Sequence, residues 1–325
     1  MRPNRKTPLL SVEGLSIGFA TEEGPIRVVE DVSFSVAGGE TVGLVGESGC
    51  GKSVTAQTIM RLLPSPPSRI EAGRIGFDTE DLAQASEARM RKIRGDKIAM
   101  IFQEPMTSLN PTMTIGDQIA EALLLHRAMS HAEARPKVLD MLKQVGIGRP
   151  QTRFTQYPHE LSGGLRQRVM IAMALICNPA LLIADEPTTA LDVTIQAQIL
   201  ELMKSLQRDL DIAILLITHD LGVVEEMCDQ VIVMYAGRIA EKATASELFA
   251  KPRHPYTAGL LAASPRNAVR GQMLVTIPGT VPPPGKRGEG CSFAERCPRA
   301  LPRCRHDVPR LTGDGHLAAC WNPVP

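Results

Sequence analysis

The chain has 325 residues, 43% of them hydrophobic, and its 36 basic and 35 acidic side chains leave a formal net charge of +1. That length and apolar content suffice for one large α/β domain with an appendage or for two modest domains, and they exclude a disordered chain. With charge near neutral and aromatics at 3%, there is neither a broad basic footprint nor a base-stacking surface, so nucleic acid is not an expected partner.

The opening MRPNRKTPLLSVEG carries Arg2, Arg5 and Lys6, but Ser11 and Glu13 break the apolar stretch that follows. No secretory core results, and a cytosolic chain is expected. The longest uninterrupted apolar run, Val169 to Cys177, is half of the roughly 18 residues that a membrane span needs, so any membrane association is expected to be peripheral. LSVEGLSIGF and the alternation of Val32, Phe34 and Val36 predict paired strands. TVGLV (41–45) predicts a buried strand, followed by a glycine-rich turn and a helix over 53–63 stopped by Pro64.

KIAMIF (97–102) predicts another strand, and helices over 115–125 and 132–145 make a mostly helical insert after Gln103. Ser162 is expected to cap a helix with Val169, Ala172, Met173 and Ile176 on one face, closing at Asn178 and Pro179. The continuously apolar runs at 180–184, 213–218 and 230–235 predict strands of a parallel sheet buried on both faces, hence a three-layered α/β body. From Lys251 the composition shifts to proline, glycine and arginine, which places a boundary near residue 250 between a 1–250 body and a 251–325 extension.

GESGCGKS, Gly46 to Ser53, fits G-x-x-x-x-G-K-[ST] between a predicted strand and a predicted helix. Its glycines let successive backbone N–H groups and the helix start face a phosphate. Lys52 reaches the β- and γ-oxygens, and Ser53 gives a hydroxyl to Mg²⁺. Gly46, Ser48, Gly49, Cys50, Gly51, Lys52 and Ser53 are therefore the expected nucleotide-binding residues. In ALLIADEP, Asp185 can address the metal while Glu186, where the chain leaves the strand, turns toward the attacking water as base. LSGGLRQR places Ser162, Gly163 and Gly164 at a helix start, a second anion site. One chain has no use for two such sites on one γ-phosphate, which points to a dimer.

With these motifs in order, residues 9–250 resemble the nucleotide-binding subunits of ATP-binding cassette (ABC) transporters. The resemblance implies an ABC-type P-loop fold with a RecA-like core, an antiparallel β subdomain and a helical subdomain. It implies an adenine-stacking role for Phe19, a Q-loop at Gln103 that also meets Mg²⁺, a D-loop in TALD (189–192) and a switch role for His219. Taken singly, Phe19 also reads as a core aromatic, and Gln103 and His219 as caps. Leu165 departs from the usual glutamine of the signature and weakens a ribose contact there. ATP and Mg²⁺ are the implied cofactors, and a second cassette ATPase subunit is the implied partner. HPYT (254–257), IPG (277–279) and GCSFAERCPRA (290–300) resemble the C-terminal extension of oligopeptide and dipeptide importer ATPases. Two permease subunits, an extracytoplasmic solute-binding protein and a place on the cytoplasmic face of the bacterial membrane are implied in turn. A soluble cassette ATPase of translation or DNA repair is the competing class, and a single cassette without sustained heptads tells against it.

Cys291, Cys297, Cys304 and Cys320 follow the spacing C-x5-C-x6-C-x15-C, and a reducing compartment disfavours disulfides. From the residues alone an iron–sulfur cluster, zinc, and unliganded or disulfide thiols all stay open. The resemblance implies a [4Fe-4S] cluster on these four positions with a structural purpose. Arg296, Arg299, Arg303 and Arg305 are expected either to offset its charge or to form a solvated basic face. Cys50, at a helix start beside Lys52, is expected to have a lowered thiol pKa.

Overall fold

Leucine, valine and isoleucine alternate with polar residues along the N-terminal segment, and in the computed structural model that segment forms two long paired strands. The structure describes residues 8–103, 108–189, 191–264 and 276–325. In chain order the elements are β1 (Leu10–Thr21), β2 (Gly24–Val36), β3 (Thr41–Val45), α1 (Lys52–Ile59), β4 (Ser68–Phe77), β5 (Glu80–Asp81), α2 (Glu87–Ile93), β6 (Ile98–Ile101), α3 (Ile115–Arg127), α4 (His131–Gln144) and α5 (Pro150–Phe154). There follow α6 (Gly163–Leu175), β7 (Leu181–Asp185), α7 (Val193–Leu210), β8 (Ala213–Thr218), α8 (Leu221–Met227), β9 (Gln230–Tyr235), β10 (Arg238–Thr244), α9 (Ala245–Ala250), α10 (Pro255–Ala262) and β11 (Leu317–Ala318). Two compact units result: Met1–Gln84 with Leu216–Pro325, and Ala85–Leu215.

In the first unit, β2-β1-β4-β5 form an antiparallel sheet, and β11-β10-β9-β3 run side by side with β3 parallel to β9. Every residue of β3 is buried, as a continuously apolar run requires when both faces are covered. The helix after the phosphate loop stops at Ile59, short of the expected 63, because Arg61 turns left-handed (φ 50°) and its N–H bonds the Thr58 carbonyl.

In the second unit β6 and β7 pair in parallel, Ile98 opposite Leu181 through Ile101 opposite Ala184. The helical insert is set by its caps: the Thr114 side chain accepts from Asp117 N–H, and Ser130 with Glu133 forms a capping box. Ile119, Leu123, Val138, Leu142 and Phe154 are buried. A side chain at Gly116 would run into the Phe154 ring, so only glycine lets α3 approach that ring.

The C-terminal segment packs into the first unit. β11 pairs with β10, Glu241 opposite Ala318. The buried Glu241 carboxylate accepts the N–H groups of Arg253 (2.6 Å) and His254 (2.9 Å) and meets His316 Nε2 at 2.6 Å. Tyr235, Tyr256 and Phe293 form an aromatic cluster with ring centroids 4.6–5.4 Å apart. The segment buries core of its own: Tyr256 is 0% and Phe293 2% exposed, and each such side chain contributes about 1.5–3 kcal/mol.

Candidate functional site

In the first unit the phosphate loop leaves buried β3 at Gly46, whose φ of 150° and whose closeness to the Met234 carbonyl admit no side chain. Gly51, left-handed at φ 106°, sets the start of α1. Lys52 is only 5% exposed, and its ammonium donates to the carbonyls of Gly46 (2.7 Å) and Glu47 (3.1 Å). The Ser48–Gly49 tip of the loop is exposed, and space is open around Gly49. Phe19 sits half-buried on β1 between Ile26 and Ser68. His219 is exposed just before α8, whose start is capped by Asp220.

In the second unit Asp185 is the last residue of β7 and 3% exposed, and Glu186 follows it. Glu186 is left-handed (φ 47°), a conformation costly for a non-glycine residue, which turns its carboxylate off the line of the strand. Its Oε2 accepts from Gln103 Nε2 at 3.0 Å and from Thr189 Oγ1 at 2.9 Å. Gln103, Asp185 and Glu186 are thus gathered in one unit, and Lys52, Ser53, Phe19 and His219 belong to the other.

Ser162 occupies the N-cap position of α6, with Gly163 and Gly164 as the first helical residues. The expected capping bond is absent: the Ser162 side chain makes none, leaving the helix start to its backbone N–H groups. A methyl group on Gly164 would come within 2.9 Å of Ile195 Cγ2. Two contributors were not singled out from the sequence. Gln167, 1% exposed, donates to the Pro187 carbonyl at 2.5 Å and so ties the signature helix to the Asp-Glu-Pro turn. Thr189 orients Glu186. Only their positions inside the quoted motifs hinted at either.

The expected lowering of the Cys50 thiol is corrected. Lys52 Nζ lies 3.8 Å from Cys50 Sγ, yet Cys50 is fully buried and burial pushes its thiol up despite the nearby ammonium.

The four tail cysteines are all unpaired and lie in the first unit. Leu301 N–H donates to Cys304 Sγ and Asn322 N–H to Cys320 Sγ, both at 3.4 Å. Burial pushes the Cys291 thiol up to about 11, with the neighbouring Cys304, Cys320 and Cys297 acting in the same direction. Among the described residues no three histidine, cysteine, aspartate or glutamate side chains converge into a group that could hold a metal ion. Of the four arginines, Arg299, Arg303 and Arg305 are exposed, as a solvated face would have them, and only Arg296 departs from that. Arg296 is buried against Glu47, Arg299 bonds Asn322, and Arg303 stacks on the Trp321 ring at 3.5 Å.

Residues 29–189 match the ABC transporter family, so the phosphate loop and the acidic strand end belong to an ATP-hydrolysing cassette. Residues 240–304 match the oligopeptide/dipeptide transporter C-terminal region. The chain is 54% identical, over 96% of its own length and 94% of the relative's, to a dipeptide transport ATP-binding protein of Bacillus subtilis. It is 52% identical, over 93% and 92%, to an oligopeptide transport ATP-binding protein of the same organism. A dimeric ATP-binding cassette, MJ0796, solved with ADP and Pi superposes with a TM-score of 0.65 at 28% identity, covering 73% of this chain and 98% of that one. A subunit of the cbiONQ ABC transporter complex from Clostridium perfringens gives 0.65 at 29%, covering 75% and 92%. The chain belongs to the ABC transporter ATP-binding proteins of the oligopeptide/dipeptide type.

Proposed function

We propose that the chain energises import of peptides, as a peripheral ATPase on the cytoplasmic face of two permease subunits, paired with a second cassette ATPase and supplied by an extracytoplasmic solute-binding protein. The observation that carries this reading is the joining of a cassette to the peptide-type C-terminal region in one chain, shared along nearly the full length with relatives named for dipeptide and oligopeptide transport. Among the described residues no helix is long and apolar enough to cross a membrane.

The phosphates of ATP would lie on the N–H groups of the loop and of the start of α1, with Lys52 moving from the loop carbonyls to the β- and γ-oxygens. Ser53, Gln103 and Asp185 would hold Mg²⁺. This oxygen-rich set suits a hard cation, which neutralises charge developing on the phosphates. Glu186, aimed by Gln103 and Thr189, would take the proton of the attacking water, His219 would sense the γ-phosphate, and Phe19 would stack on adenine. Ser162, Gly163 and Gly164 would face the nucleotide held by the partner subunit. The uncommitted Ser162 side chain supports that use.

For the tail, the reading of a [4Fe-4S] cluster on Cys291, Cys297, Cys304 and Cys320 is supported by four unpaired thiols that influence one another electrostatically, two of them receiving backbone N–H bonds. Among the described residues the four thiols do not converge into a metal-holding group; four cysteines are nonetheless the donor set that a cluster takes, and a bound cluster would have to draw them together. A bound cluster would supply a covalent cross-link between the ends of this loop-rich segment.

The test is reconstitution. Combined with its permeases and companion ATPase in vesicles, the chain should hydrolyse ATP in a peptide-stimulated manner, and the isolated chain should be slow. Full-rate, concentration-independent hydrolysis by a proven monomer would reverse the paired-subunit reading.

A further inference from the structure

Two tail stretches that stand apart in sequence reach a single residue of the phosphate loop, Glu47, and a third braces one of them. From 291–297 comes Arg296, whose guanidinium forms a two-pronged ion pair with the Glu47 carboxylate, Nη1 to Oε2 at 2.6 Å and Nη2 to Oε1 at 3.0 Å. From 277–279 come the carbonyls of Pro278 and Ile277, which accept from the same guanidinium at 2.7 and 3.4 Å and so fix its plane. From 254–257 comes Tyr256, whose hydroxyl accepts the Glu47 backbone N–H at 2.8 Å. Arg296 is 7% exposed and lies over the Tyr235 and Phe293 rings, 5.7 and 5.9 Å from their centroids. Tyr256 is in turn held by His254, which receives the Tyr256 N–H at 3.0 Å.

Glu47 stands between Gly46 and Ser48, and its carbonyl is one of the two that Lys52 leans on. The loop contains three glycines with positive φ, at Gly46, Gly49 and Gly51, and such a segment has much backbone freedom to lose when it closes on a ligand. Clamping both the peptide and the side chain of Glu47 removes part of that freedom before the ligand arrives, and binding is correspondingly tighter. A bidentate guanidinium–carboxylate pair, desolvated on the arginine side, is suited to hold one geometry.

We propose that the C-terminal extension is a positioning device for the phosphate loop, in which Arg296 and Tyr256 act through Glu47 to pre-shape the loop for ATP. The inference rests on the reading of residues 46–53 as the ATP site. It assigns the extension a role in nucleotide affinity in addition to any role of its cysteines.

The experiment titrates Mg-ATP into the full-length chain by calorimetry and measures KM and kcat for ATP in the assembled transporter. Arg296→Ala and Glu47→Ala should each weaken ATP binding and raise KM by about tenfold, with kcat at saturating ATP changed less than threefold, as loss of pre-organisation requires. The double variant should be no weaker than either single one, because both remove the same pair. Tyr256→Phe, which keeps the ring, should weaken binding by about two- to threefold through loss of one hydrogen bond. Arg296→Lys should recover part of the loss, and if Arg296→Ala does not fold, this variant and Tyr256→Phe decide the matter. Wild-type ATP affinity in folded Tyr256→Phe together with either folded Arg296 variant, or additive losses in the double variant, overturns the clamp. Lys52→Ala separates the two readings: if it leaves ATP affinity intact, the ATP-site reading itself falls, whereas its loss of binding beside unaffected Arg296 variants removes the clamp alone.

Discussion

Gln103 Nε2 donates to Glu186 Oε2 at 3.0 Å, across 83 residues of chain, and Thr189 Oγ1 donates to the same oxygen at 2.9 Å. Two neutral donors on one carboxylate oxygen, together with the left-handed backbone of Glu186, constrain where the group points. Glu186→Gln should therefore keep ATP binding and lower steady-state hydrolysis in the assembled transporter by about 100-fold or more, the size of a lost general base. Near wild-type turnover by that variant would take Glu186 out of the base role. Thr189→Val should give a smaller loss.

Ser162→Ala separates a capping serine from a ligand-facing one. An N-cap serine normally contributes about 1 kcal/mol to helix stability, but the Ser162 side chain makes no capping bond. The variant should lose less than about 0.5 kcal/mol in a denaturant titration. Its ATP turnover when paired should fall at least about fivefold, the loss of one hydrogen bond to a charged phosphate. A marked drop in stability with turnover unchanged would return Ser162 to a capping role.

Cys50 should be sluggish toward alkylation. The thiolate is the reactive species, and burial keeps the thiol protonated at neutral pH in spite of Lys52. Iodoacetamide at pH 7.5, followed by peptide mapping, should modify Cys50 at least about tenfold more slowly in the native chain than in denaturant. Rapid native labelling at this position would contradict the burial argument.

His254 makes the chain acid-sensitive. Burial pushes its imidazole down from 6.5 to about 4, the Glu241 carboxylate opposing the shift in part. The unfolded chain then binds a proton near pH 6.5 that the folded chain refuses until about pH 4. Stability therefore falls as pH drops through that window, by up to about 3 kcal/mol from this group. His254→Asn, which keeps a side-chain acceptor for the Tyr256 N–H, should flatten the decline in thermal midpoint between pH 6.5 and 4. An identical pH profile in the variant would assign the acid sensitivity elsewhere.

The cluster reading has a direct chemical check. Anaerobic purification of the full chain should give a brown protein with about four irons and four sulfides, and Cys297→Ser should lose the colour. Stoichiometric zinc without acid-labile sulfide would decide for the alternative metal.

The order of motifs along the chain, from the glycine loop through Gln103, Ser162-Gly163-Gly164 and Asp185-Glu186 to His219, was legible because each is a short stretch whose meaning depends on its own strand or helix. The strands at 41–45, 213–218 and 230–235 were legible for the same reason: burial on both faces writes itself as an unbroken apolar run. Tertiary structure alone decided the rest. The pairing of Glu47 with Arg296 spans 249 residues, and no local spacing encodes it. Whether Ser162 caps its helix depends on a rotamer that the N-cap residue type does not dictate. The reversal at Cys50 came from desolvation, which outweighs one neighbouring ammonium and depends on everything packed around the thiol. The division into units that join the two ends of the chain likewise follows from strand pairing between distant segments, a property of the folded chain and not of any window of its sequence.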